Sequence, residues 1–101
     1  MIKQLNKNNF DNYIKDGLKF IAFSAPWCTY CKRQKPVLEE LSNSGIETAE
    51  INADENSDIA FKYDIHAFPS FLLFKEGKML AKFSGYRPKY DLLNTIMHYL
   101  R

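Results

Sequence analysis

Cys28 and Cys31 are the only two cysteines in a chain of 101 residues, and they stand two residues apart in the stretch FSAPWCTYCKRQKP, residues 23–36. That stretch joins an apolar run to a run with helical spacing. In a first helical turn, residues three apart have Cβ atoms about 5 to 6 Å from each other, so two sulfurs so placed can close a disulfide with little backbone movement. The unsatisfied N–H groups of a helix N-terminus favour a thiolate on the residue at its tip. Cys28 is expected at that tip, and Cys31, one turn in, is expected to be the more buried. Lys32 and Arg33 add positive potential, each weakly because exposed charges are screened. Such a pair can attack a disulfide through Cys28, form a mixed disulfide, and resolve it through Cys31. The reverse sequence oxidises dithiols, and relative reduction potentials set the direction.

Two blander readings compete. A structural metal site wants about four ligands, and one Cys-x-x-Cys pair supplies two. His66 and His98 could add to them, but His98 sits beside an apolar stripe, so no metal is expected. Two core cysteines packing as small hydrophobes would explain neither their place at a strand-to-helix junction nor the adjacent Trp27.

The elements that must position this pair follow from periodicity. LKFIAFSA (18–25) is too short for a core helix and suits a strand buried on both faces. IETAEINA (46–53) offers Ile46, Thr48 and Ile51 to a second strand, and SFLLFKEGKMLAKFSG (70–85) reads as a hairpin with Gly77 in its turn. Residues 2–5, IKQL, suit an edge strand. Helical spacing covers residues 31–45, with Pro36 expected to kink the helix and Gly45 to stop it. Residues 56–64 form a shorter helix with Asn56 or Ser57 as N-cap, and a weaker one precedes Gly17. The last helix, 88–100, takes Pro88 in its first turn and is expected to bury Leu93, Ile96, Met97 and Leu100. Strands alternating with helices imply parallel pairing, and the hairpin adds antiparallel strands, so an α/β fold with a mixed sheet covered on both faces is predicted.

Composition narrows the partners. A net charge of +2, from fourteen Lys and Arg against twelve Asp and Glu, is too small and dispersed to argue for nucleic acid. No apolar run approaches the ~20 residues of a membrane span, and MIKQLNKNNF lacks the apolar centre of a signal peptide. A cytoplasmic protein of one domain, residues 1–101, is expected, without membrane or nucleic-acid partners.

Together, APWCTYCK (25–32), Pro36, FPSFLLFKEGK (68–78) and FSGYRP (83–88) make the chain resemble the thioredoxin family over almost its whole length. The resemblance implies the thioredoxin fold, no cofactor, a monomer, and a protein-disulfide reductase acting through Cys28 and Cys31. It also implies a cis Phe68-Pro69 peptide beside the cysteines, and a docking patch of Trp27, Phe68, Pro69, Gly85 and Tyr86 on which an extended substrate pairs as an added strand. Protein disulfides would be the substrates, and a thioredoxin reductase or an equivalent donor would return electrons. An oxidant or isomerase, and a non-catalytic binding module on the same fold, are the alternatives.

Three departures from the family pattern stand out. Thr29-Tyr30 replaces the usual Gly-Pro between the cysteines, which together with Lys32 bears on thiolate stability. The buried acid six residues before the first cysteine is Ala22 here. Glu50 occupies the position where the neighbouring strand usually has lysine. Glu50 is therefore expected to enter the cavity from that strand and accept the proton of Cys31, the alternative being an exposed or lysine-paired side chain. His66 is expected near the rim, favouring thiolate if protonated, and otherwise a surface residue.

Overall fold

Phe20, Ile21, Ala22 and Phe23 are all essentially inaccessible to solvent. Four consecutive buried residues require a strand covered on both sides, because successive side chains point to opposite faces. The computed structural model, which describes Met1–Arg101, places them in β2 (Leu18–Ser24) at the centre of a five-stranded sheet. The other strands are β1 (Lys3–Leu5), β3 (Thr48–Asn52), β4 (Ser70–Lys75) and β5 (Lys78–Ser84), in the order β1-β3-β2-β4-β5. β1, β3 and β2 run parallel, while β4 and β5 are antiparallel to their neighbours, which is the predicted mixed sheet.

Four helices cover it: α1 (Phe10–Ile14), α2 (Thr29–Asn43), α3 (Ser57–Lys62) and α4 (Lys89–Tyr99). The alternation of β2 and β4 divides the core between the two faces. Ile21, Phe23, Leu72 and Phe74 pack with Phe10 and Ile14 of α1 and Ile59 of α3. Phe20, Ala22, Phe71 and Leu73 pack with Leu38 and Leu41 of α2 and with Leu92 and Ile96 of α4. Burying each such side chain contributes roughly 2 kcal/mol, so neither helix layer can leave without exposing a sheet face.

Local chemistry sets the boundaries. Glu76 and Gly77 both have positive φ, 50° and 81°, the conformation of a two-residue hairpin turn that follows the twist of β4 and β5. At the end of α2, the Gly45 N–H donates to the Ser42 carbonyl and the Ile46 N–H to the Leu41 carbonyl, with Gly45 at φ 95°. This pair of bonds satisfies carbonyls the helix would otherwise leave free. Pro36 lies inside α2, where it cannot donate to the carbonyl of Lys32.

Three expectations are corrected. Leu92 and Ile96, four apart on one face, are the buried residues of α4, with Leu93 half-buried, whereas Met97 and Leu100 are exposed. α4 meets the sheet and α2 along one narrow stripe, and Met97 lies about 100° further round the helix than Ile96. Pro88 is extended, at ψ 166°, so α4 begins at Lys89 rather than with the proline in its first turn. Asn56 precedes α3, but its side chain makes no capping bond. Its Oδ1 instead accepts from the Lys7 N–H and its Nδ2 donates to the Asn52 carbonyl, tying the end of β1 to α3.

Gly45→Ala isolates the backbone term of the α2 stop, since a Cβ there would meet nothing within 4 Å. A loss of about 1 kcal/mol in urea-denaturation stability is expected from the left-handed conformation alone. An unchanged denaturation midpoint would contradict this account of the helix end.

Candidate active site

β2 ends at Ser24, and Ala25-Pro26-Trp27 carry the chain round to α2, with the Cys28 N–H donating to the Ala25 carbonyl at 3.1 Å. Cys28 is the N-cap of α2, in an extended conformation (φ −86°, ψ 109°). Its sulfur accepts the Cys31 N–H at 3.1 Å. A capping sulfur thus takes the place usually filled by a Ser, Thr or Asp oxygen. The two cysteines form a disulfide with their Cα atoms 5.3 Å apart. Cys31 is not the more buried of the two: each residue is 5% exposed, because the bond holds both within one small cluster with Ala25 and against Phe68.

Phe68-Pro69 is a cis peptide, as the resemblance implied. The loop around it is bonded on both sides. Ser70 Oγ donates to the Ala67 carbonyl, and the Gly85 N–H donates to the Pro69 carbonyl at 2.8 Å. Trp27 is 66% exposed and lies edge-on to Phe68, with ring centroids 5.5 Å apart. Its Nε1 donates to Asp54 Oδ2 at 3.1 Å, which orients the indole despite its exposure. Trp27, Phe68, Pro69 and Gly85 are therefore gathered around the disulfide from three separate stretches of chain. Tyr86, next to Gly85, turns to the Arg33 guanidinium, 5.0 Å from its ring centre.

Behind the disulfide is a cavity of about 270 Å³ whose lining includes Cys31, Lys35, Glu50, Gln4 and Asn52. Register explains why Glu50 reaches it. Glu50 pairs with Ala22 across the parallel β3–β2 ladder, so its side chain shares Ala22's face, the one covered by α2. Its neighbours Ala49 and Ile51 are buried on the other face. The Glu50 side chain is 13% exposed, accepts from Gln4 Nε2 at 3.3 Å and lies 3.9 Å from Lys35 Nζ.

Thr29, Tyr30 and Lys32 are exposed on the first turn of α2. His66 is exposed and bonded through Nε2 to Asp64. That hydrogen bond, the His66 charge and then Lys82 hold the Asp64 carboxyl below the usual carboxylate range. Lys82 also donates to the Asp64 carbonyl at 2.7 Å.

Sequence reasoning missed two residues here. Asp54, 27 positions from Trp27, carries no local signal. Gln34 is 1% exposed, and its amide donates to the Arg87 carbonyl and accepts the Arg87 N–H, both at 2.8 Å. Its signal was positional, since it stands on the helical stripe of Cys31, Leu38 and Leu41 that faces inward.

Comparison with known proteins agrees with this geometry. Residues 1–98 match the family model described as Thioredoxin. A thioredoxin of Chlamydia pneumoniae is 37% identical over 98 residues, covering 95% of this chain and 96% of its own length. A thioredoxin of Staphylococcus haemolyticus is 35% identical over 102 residues, covering 98% of each. One from Staphylococcus aureus is 31% identical over the same span.

In the reduced protein, the Cys31 N–H and the α2 N-terminus favour negative charge on the Cys28 sulfur. Limiting iodoacetamide at neutral pH is expected to alkylate Cys28 well ahead of Cys31, as read by peptide mass spectrometry. Equal labelling of the two would contradict the electrostatic asymmetry.

Proposed function

The chain belongs to the thioredoxin family, and from that premise we propose that its Cys28–Cys31 couple reduces disulfides in other proteins and is recharged by a thioredoxin reductase or an equivalent dithiol donor. Thiol-disulfide oxidoreductase activity through the Cys-x-x-Cys pair is the family's chemistry, and both sulfurs are present and bonded to each other. The observation that carries the reading is the capping sulfur of Cys28. It accepts an amide proton at a helix start, beside an exposed indole and a proline loop.

The reaction is balanced in sulfur, electrons and protons. The Cys28 thiolate attacks one sulfur of a substrate disulfide; that S–S bond breaks, and the other substrate sulfur leaves as a thiolate and takes a proton. A mixed disulfide remains. Cys31 gives up its proton and attacks the Cys28 sulfur, the mixed S–S bond breaks, and the second substrate sulfur leaves as a thiol. Two electrons pass to the substrate, and the Cys28–Cys31 disulfide of this structure is the oxidised product.

The roles around this couple are part of the proposal. Trp27, Phe68, Pro69 and Gly85 form the surface on which an extended segment of substrate lies, pairing with the backbone beside Pro69. Glu50 accepts the Cys31 proton. The register supports this, because a carboxylate on β3 reaches the cavity that Cys31 lines, while its ladder partner on β2, Ala22, carries only a methyl group. Lys35 and Gln4 hold Glu50 in that cavity. Thr29, Tyr30 and Lys32 tune the exposed edge of the pair. The cytoplasm is the proposed location, where thiol reductants keep such a couple able to donate electrons.

Two measurements test this. Insulin reduction driven by dithiothreitol is expected to fall to background in Cys28→Ser; equal turnover by variant and wild type would discard the proposal. Glu50→Gln is expected to slow resolution of a preformed mixed disulfide by about tenfold or more, with an altered pH profile between about pH 6 and 9. An unchanged rate across that range removes Glu50 from proton transfer and leaves the rest standing.

A further inference from the structure

Basic residues of α2, β5 and α4 differ in whether they are neutralised. Lys35, Lys82 and Lys89 each have a carboxylate within 4 Å, from Glu50, Asp64 and Glu40 respectively. Lys32, Arg33 and Arg87 have none, and of these only Arg33 lies against two tyrosine rings. Its guanidinium lies 5.7 Å from the ring centre of Tyr30, one turn earlier on α2, and 5.0 Å from that of Tyr86, from the loop between β5 and α4. Both distances are within cation–π range. The guanidinium is thus positioned through its charge without using up its N–H donors.

The backbone on both sides of Tyr86 is fixed. Gly85, before it, donates to the Pro69 carbonyl at 2.8 Å. Arg87, after it, has its backbone N–H and carbonyl both bonded at 2.8 Å by the side chain of Gln34, which is 1% exposed. A buried amide engaged at both ends is costly to misplace, because either unpaired half would cost about 1 to 3 kcal/mol. α2 therefore holds the loop that holds Tyr86, and Tyr86 holds Arg33. Asp54, the carboxylate beside Trp27, already accepts from the indole Nε1.

We propose that Arg33, in cation–π contact with Tyr30 and Tyr86, recognises a carboxylate on the substrate: an aspartate or glutamate side chain flanking the cysteine under attack. This deepens the reading of the chain as a reductant of protein disulfides and rests on it. A guanidinium offers planar, paired N–H donors to a carboxylate, and a lysine amine does not. Because the rings already restrict the side chain, less conformational freedom is lost on binding.

The test uses peptides with serine at the target cysteine and either glutamate or glutamine on both sides of it, titrated into the oxidised protein and followed by NMR chemical shifts. At low salt the glutamate peptide is expected to bind about five- to tenfold more tightly than the glutamine peptide. Arg33→Gln, at an exposed position whose fold circular dichroism can verify, is expected to bring that ratio to about one. Equal response of wild type to the two peptides, including none to either, overturns the proposal, as does an unchanged ratio in Arg33→Gln. The probes contain no sulfur, so failure here is distinct from failure of insulin reduction.

Discussion

An amide N–H in the first turn of α2 points at the sulfur of Cys28, and the arrangement works only because a strand delivers the chain to that point at full burial. β2 is anchored on both faces by aromatic and aliphatic side chains, so its end cannot drift relative to the helix that follows. The helix start then does two things at once. It provides donors that favour charge on sulfur, and it sets the i, i+3 spacing that lets a second sulfur reach the first. Reactivity and bond formation share one geometric cause.

Around that junction, hydrogen bonds outside the helices and sheet fix two loops. Ser70 closes the turn before β4, Gly85 joins the loop after β5 to Pro69, and Gln34 reaches from α2 to the backbone of Arg87. None of these groups carries charge or reacts. Their effect is to hold flat, partly apolar surface beside a disulfide that is itself almost buried.

Glu50 owes its place to strand register. Paired residues on adjacent strands point to the same face, so Glu50 shares the α2-covered face of Ala22, and its side chain lines a cavity with Cys31. A small residue on one strand leaves room for a long one on the other. Lys35 on α2 and Gln4 on β1 both approach the same Glu50 oxygen, which ties its placement to two elements besides its own strand.

Local pattern was enough for the Cys28–Cys31 pair, the central strand, the hairpin at Gly77, the α2 stop at Gly45 and the order of elements, because each depends on spacing or backbone preference within a few residues. The resemblance carried the cis Phe68-Pro69 bond and the gathering of Trp27, Phe68 and Gly85, which no local pattern contains. Other features were decided by the assembled fold. The face of α4 turned on which narrow stripe meets the sheet, so Leu92 displaced Met97 from the core. The equal burial of the two cysteines came from the bond between them, while the partners of Trp27 and Gln34, Asp54 and Arg87, came from chain 27 and 53 positions away, as did the Tyr86 partner of Arg33. Periodicity reports which side of an element is apolar. What stands opposite that side depends on strand register and loop packing, and those exist only once the whole chain has closed.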